Sequence, residues 1–312
     1  MTKVAFIFPG QGSQSVGMGV ELAEHEDSKR FFEQADDVLN FKLSGLISNG
    51  PQEELTLTYN AQPALLTVGA MIASRLVQEG ITPAYTAGHS LGEYTALVAS
   101  GVLSFEDGVS VVRKRGLFMN DAVPAGQGAM AAILGLDGKK LKEVTDSITA
   151  EGYPVQPANL NCPGQIVISG TKNGVEKACI DLKEAGAKRA IPLDVSGPFH
   201  SSLMKPAAER LKNALDELEM KEASIPVIAN VNAAAVTDQE KVKQLLVEQL
   251  YSPVLWEDSV RQLIKHGVTH FIECGPGKVL SGLVKKIDRS VTVIPVYDEE
   301  TLQAAIEASK GW

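Results

Sequence analysis

The sequence predicts an α/β fold with a mostly parallel sheet and a small inserted domain of ferredoxin-like (βαββαβ) order. Two observations carry this. Short apolar runs end repeatedly in Gly-rich loops followed by amphipathic stretches, as in "VAFIFPGQGSQ" (4–14), "AYTAGHSLGEYTALVASG" (84–101) and "THFIECGPGKVLSGLVKKI" (269–287). Strands alternating with helices build a parallel sheet covered on both faces, with ligands bound beyond the carboxyl ends of its strands. The central stretch from about residue 128 to 195 reads differently. It runs strand ("AMAAILGL"), helix (139–150), strand ("PVQPANLN"), strand ("QIVISGT"), helix (173–185), strand ("KRAIPLDV").

The first apolar run, Val4–Phe8, is too short for a secretory h-region and stops at Pro9-Gly10. The Gly-rich loop after it is expected to open a helix. Around 84–101 a strand leads into "GHSLGEY", and Leu91, Tyr94, Leu97 and Val98 form an apolar helical stripe that Gly101 closes. The next helix starts at a Ser104 N-cap and runs to about Asn120. "VPAGQG" (123–128) and "SGPFH" (196–200) border the inserted unit. The expected division is therefore 1–126 with 197–312 as the large domain and 127–196 as the small one. "IPVIANVN" (225–232) is a further strand and loop. Ser252-Pro253 reads as a helix start, with the stripe Trp256, Val260, Leu263, Ile264 ending at Gly267.

Among 312 residues the formal net charge is −9, which argues against nucleic acid and anionic membrane surfaces as partners. No stretch approaches the length of a membrane span. Cys162, Cys179 and Cys274 are odd in number and fit neither a disulfide framework nor a zinc site. A cytoplasmic chain with no metal is expected.

Ser90 lies in Gly-x-Ser-x-Gly between strand and helix, the setting of an exposed nucleophile at a helix N-terminus. A serine hydroxyl needs a base and oxyanion donors. The Leu91 amide is the natural first donor, and the Gln11 amide on the 9–14 loop is able to complete the pair. Five histidines compete as base. His25 sits in a charged, solvated stretch. His89 adjoins Ser90, where neighbouring side chains on a sharp turn point apart. His266 and His270 come late, as in α/β-hydrolases, although His266 also suits a helix C-terminus. His200 follows a strand in a Gly-Pro loop, a position that favours it, with the late pair as the alternative.

"FPGQGSQ", "GHSLGEY", "RKRG", "GPFHSSLM" and "GPGKVL" occur in this order, and with them the chain resembles, essentially end to end, the malonyl-coenzyme A:acyl carrier protein transacylases of fatty-acid synthesis. These are related to the acyltransferase domains of polyketide synthases. The resemblance implies a hydrolase-like large domain with a ferredoxin-like insert. It implies acylation of Ser90, His200 as base, and Gln11 and Leu91 amides as the oxyanion hole. It further implies Arg115 as the grip on the substrate's free carboxylate and Gln249 as the residue whose main-chain carbonyl orients the histidine. Helical periodicity alone places Arg113 and Arg115 to either side of the buried stripe Phe105, Val109, Val112, Met119 and does not choose between them. Phe199 fits a preference for malonyl over methylmalonyl groups. With a carbonyl as orienting group no acidic triad member is expected; Asp194 and Glu273 are the candidates otherwise. The partners implied are malonyl-coenzyme A and acyl carrier protein, with no cofactor and the chain a monomer. Two rivals stand beside this: an esterase or thioesterase using His266 or His270, and a non-catalytic malonyl-coenzyme A sensor.

Overall fold

The computed structural model describes residues 2–312. The chain begins with β1 (Val4–Phe8), then α1 (Glu26–Leu39), α2 (Leu43–Asn49), α3 (Gln52–Thr56), α4 (Thr58–Gln78), β2 (Tyr85–Gly88), α5 (Leu91–Ala99) and α6 (Phe105–Asp121). Its middle holds β3 (Gly128–Leu134), α7 (Gly138–Ala150), β4 (Val155–Cys162), β5 (Gln165–Thr171), α8 (Lys172–Glu184) and β6 (Arg189–Pro192). It continues with α9 (Lys205–Asp216), β7 (Val227–Ile228), β8 (Ala235–Val236), α10 (Gln239–Gln249) and α11 (Trp256–Lys265). The last elements are β9 (His270–Cys274), α12 (Val279–Ile287), β10 (Thr292–Val296) and α13 (Glu299–Ser309).

Among the described residues the strands form two sheets. The larger has the order β10-β9-β1-β2-β7-β8; every pairing in it is parallel except β7 with β8. All five residues of β1 are buried, as a central parallel strand requires. One face packs on α1, α4, α5, α6 and α9 through Phe6, Phe8, Leu66, Leu97, Val112 and Leu211. The other packs on α11 and α12 through Ile7, Phe271, Trp256, Leu263 and Val284.

The smaller sheet has the order β4-β5-β3-β6 and is antiparallel throughout, the arrangement a βαββαβ chain produces. Alternate residues divide its faces. Ala131, Ile133, Ile166 and Ile168 pack on α7 and α8, whereas Met130 and Val167 turn toward the larger core. Several helices start at polar caps: Ser104 Oγ accepts from Asp107 N (3.0 Å), and Asp137, Thr171 and Asp238 act likewise.

Two local expectations differ from the structure. The 9–14 loop opens no helix. Gly12, Gly17 and Gly19 take φ of +105°, +91° and +70°, so this stretch runs through turns. Nor does a helix start at Ser252. Val254 N donates to Ala158 O (2.8 Å) and Val254 O accepts from Leu160 N (2.9 Å), so these residues run extended against β4 and α11 begins only at Trp256. A long-range backbone pairing there outweighs a local cap signal.

Candidate active site

β1 and β2 are parallel neighbours, so the loops after Phe8 and Gly88 leave the sheet side by side; His89 N donates to Phe8 O (3.0 Å). This brings Gln11 and Leu91 to the carboxyl edge of the sheet, where such folds bind ligands. The turn between β2 and α5 is very tight. A Cβ on Gly88 would lie 1.9 Å from the Gly92 carbonyl carbon, and one on Gly92 would lie 2.0 Å from Phe8 O. Ser90 at its apex has φ +52° and ψ −106°, a backbone state costing on the order of 1–3 kcal/mol.

Hydrogen bonds from distant segments hold that state. Ser90 N donates to Asn230 Oδ1 (2.8 Å), Asn230 Nδ2 donates to Gly88 O (2.7 Å), and Gln249 Nε2 donates to Ser90 O (3.1 Å).

Ser90 Oγ lies 2.7 Å from His200 Nε2, and His200 Nδ1 lies 2.8 Å from the Gln249 main-chain oxygen. A carbonyl only accepts, so Nδ1 carries the proton and Nε2 is left as the acceptor of the Ser90 hydroxyl. The imidazole is buried and its pKa is pushed down to about 3, first by burial and then by the Arg115 charge. His200 is thus a neutral base across the ordinary pH range.

Arg115 is 1% exposed. Its Nη1 donates to Gln62 Oε1 (2.7 Å), and its Nη2 donates to Gln249 Oε1 (2.9 Å) and Ser90 Oγ (3.1 Å). Its Nε is buried with no acceptor among the described residues. Burial lowers its pKa, yet a guanidinium stays charged at any pH the fold meets. The site therefore holds a buried cation that donates to the nucleophile through Nη2. Arg113 lies elsewhere, between the rings of Phe41 and Tyr59 (4.9 Å to each centroid), donating to Tyr59 O (2.8 Å) and to Asn60 Oδ1.

Gln11, Ser90, Leu91, Arg115, Phe199 and His200 all line one cavity of about 200 Å³. Leu91 is the first residue of α5, so its amide is a helix N-terminal donor with no intrahelical acceptor. Gln249 stands behind His200, fully buried.

No other histidine hydrogen-bonds Ser90 Oγ among the described residues, although His89 lines the same cavity. His89 faces Asn161 Oδ1 (2.8 Å); His266 ends α11 with its ring stacked on Tyr85; His270 bonds Thr269. Of the acidic alternatives, Glu273 accepts from Leu280 N, Ser281 N and Ser281 Oγ and so caps α12, while Asp194 lines the cavity. The group that bonds His200 Nδ1 is the Gln249 carbonyl. Among the described residues no cluster of His, Cys, Asp or Glu is arranged to hold a metal ion, and no helix is long and apolar enough to cross a membrane.

Three residues of the site escaped the reading of the sequence. Gln62 anchors Arg115 from α4, where Asn60, Thr67 and Arg75 are buried polar residues too, so polarity alone does not single it out. Glu93 Oε2 accepts from Gln249 Nε2 (2.7 Å) and Asn230 N (3.1 Å); burial raises its pKa to about 7 against those donors. Asn230 lies in the loop after β7, a segment recognised only as a strand and loop.

An acyl transferase domain family model matches residues 5–306. A Bacillus subtilis (strain 168) protein named malonyl CoA-acyl carrier protein transacylase is 62% identical over 311 residues, covering 99% of this chain and 98% of that one. A Staphylococcus aureus (strain MRSA252) protein of the same name is 46% identical, covering 100% and 99%. Among solved structures, an acyl carrier protein S-malonyltransferase from Vibrio cholerae superposes with a TM-score of 0.95 at 48% identity, over 97% of this chain and all of that one. A malonyl-transacylase in complex with a type II PKS acyl-carrier protein also gives 0.95, at 42% identity over 98% of this chain and all of that one. With a match of this length joined to a serine, an imidazole and a guanidinium in one cavity, the chain belongs to the acyl transferase family.

Proposed function

We propose that this chain moves a malonyl group from malonyl-coenzyme A to the phosphopantetheine thiol of acyl carrier protein, through a malonyl ester on Ser90, and so supplies extender units for fatty-acid synthesis. The names of its relatives support the donor and acceptor, and the relative bound to its carrier protein supports the partner. The observation that carries the reading is Arg115: a buried guanidinium 3.1 Å from the nucleophile, with an N–H left without an acceptor.

Malonyl differs from acetyl by a carboxylate, which a planar guanidinium holds through parallel charge-assisted hydrogen bonds. With that end fixed, the thioester carbonyl faces Ser90. His200 Nε2 takes the hydroxyl proton as Oγ attacks, and the oxyanion rests on the Leu91 and Gln11 amides, each worth on the order of 10²–10³ in rate. The C–S bond breaks and the imidazolium returns its proton to the departing thiolate. In the second half His200 takes the proton of the pantetheine thiol, sulfur attacks the ester, and the proton goes back to Ser90 Oγ. Serine, imidazole, guanidinium and amides account for every proton and charge, so the reading calls on no metal or prosthetic group. It treats the chain as a cytoplasmic monomer of two domains, 1–126 with 197–312 around 127–196, and the two separate sheets support that division.

Brief exposure to malonyl-coenzyme A, followed by peptide mass spectrometry, tests this. One malonyl group on Ser90, passed on when carrier protein is added, is expected. Ser90→Ala and His200→Ala abolish the adduct, while His266→Ala and His270→Ala leave it. An unmodified Ser90 in the wild-type chain refutes the reading in favour of a sensor. Loss of acylation only at His266 or His270 refutes it in favour of a hydrolase.

A further inference from the structure

The loop after β7 carries a buried side chain to which the mechanism above gives no task. Asn230 is fully buried, yet every hydrogen bond of its amide goes to the active-site turn or its supports. Oδ1 accepts from Ser90 N (2.8 Å) and from Gln249 Nε2 (3.3 Å), and Nδ2 donates to Gly88 O (2.7 Å). One planar amide thus bridges the two residues flanking His89. Its own backbone is fixed from both sides: Asn230 N donates to Glu93 Oε2 (3.1 Å), and its carbonyl accepts from Leu255 N (2.9 Å).

We propose that Asn230 is the positioning residue for the nucleophile, its carboxamide clamping Gly88 O and Ser90 N so that Ser90 Oγ meets His200 and the Leu91 amide faces the acyl carbonyl. This rests on the acyl-Ser90 reading. The chemistry of the clamp is specific. Ser90 N needs an acceptor and Gly88 O needs a donor, and a carboxamide is the small side chain that offers both in one plane. Ser90 sits at positive φ, so its backbone has an ordinary conformation to relax into once either bond is lost. Such relaxation swings Oγ away from an acceptor now at 2.7 Å. A misplacement of about 1 Å costs on the order of 10²-fold in rate. Arg115, the grip on the substrate's carboxylate, is held by Gln62 Oε1 and Gln249 Oε1, neither of which bonds Asn230.

Rapid-quench mass spectrometry of malonyl-Ser90, with excess malonyl-coenzyme A and no carrier protein, yields an acylation rate constant and a burst amplitude. Asn230→Ala and the similarly shaped Asn230→Leu are the variants, the second keeping the space filled should the first fold poorly. Expected is an amplitude near one acyl group per folded chain, with the rate constant about 10²-fold below wild type. The half-saturating malonyl-coenzyme A concentration should stay within about threefold. A merely structural role gives the reverse: reduced amplitude, lower Tm, and a surviving fraction acylating at the wild-type rate. That result in either variant overturns the clamp. Absence of acylation in the wild-type chain itself would instead overturn the functional reading, so the two failures are distinguishable.

Discussion

Replacing Arg115 by alanine tests the carboxylate grip most directly, and its size follows from the site. Two parallel charge-assisted hydrogen bonds to the malonyl carboxylate, at about 1.5–3 kcal/mol each, amount to about 3–6 kcal/mol. Each 1.36 kcal/mol is tenfold in rate, so kcat/KM for malonyl-coenzyme A should fall by about 10²–10⁴. Acetyl-coenzyme A has no carboxylate to lose and should fall far less. The variant also strips Gln62 Oε1 and Gln249 Oε1 of their donor, and each buried oxygen left unpaired costs about 1–3 kcal/mol of stability. The ratio of the two kcat/KM values is therefore the proper readout, since a loss of folded protein cancels from it. Initial rates of acyl transfer to purified carrier protein from the two donors supply that ratio. Arg115→Lys should fall between wild type and alanine, because an ammonium cannot form the parallel pair. A malonyl-to-acetyl ratio within threefold of wild type, in an Arg115→Ala protein that still acylates Ser90, would refute the argument.

The remaining predictions concern the base and the turn. His200 is the base only when neutral, and its pKa is held at about 3. The histidine contribution to kcat/KM should therefore stay flat as pH falls from 8 to 5, declining only nearer that value. A bound malonyl carboxylate offsets the Arg115 charge that helps depress this pKa, so the acid limb of kcat should lie at higher pH than that of kcat/KM; coincident limbs centred near 6.5 would contradict both statements. Gly92→Ala puts a methyl group 2.0 Å from Phe8 O, forcing α5 and β1 apart by about 1 Å. It should cost about 1–3 kcal/mol of stability and on the order of 10²-fold in Ser90 acylation, and unchanged Tm and rate would show the turn to be looser than described.

Much of the molecule was legible because its signals are local. The βαββαβ order of the insert, the Ser104 cap and the Gly-x-Ser-x-Gly turn each rest on residues within a few positions of one another. The serine–histidine pair spans 110 positions; the Gly-Pro loop favoured His200 over the late pair, and the order of several motifs pointed to it. The choice of Arg115 over Arg113 shows the limit more sharply. Both flank the same helical stripe, and what separates them is Gln62 on α4 and Gln249 at the end of α10, 53 and 134 positions away. Asn230 and Glu93 were missed for the same reason, since their partners lie up to 156 positions off. Ser252-Pro253 is the converse case: a sound local helix signal yielded to backbone pairing between Val254 and β4.

The strained turn at Ser90 is held by residues 140 and 159 positions further along. A polypeptide leaving the ribosome emerges amino end first. During synthesis, therefore, the serine emerges 110 residues before His200, 140 before Asn230 and 159 before Gln249. A growing or interrupted chain holds an ordinary alcohol, inert toward the thioesters around it. Reactivity switches on late and as a unit, when the segment through Gln249 has been made and has folded back onto the turn.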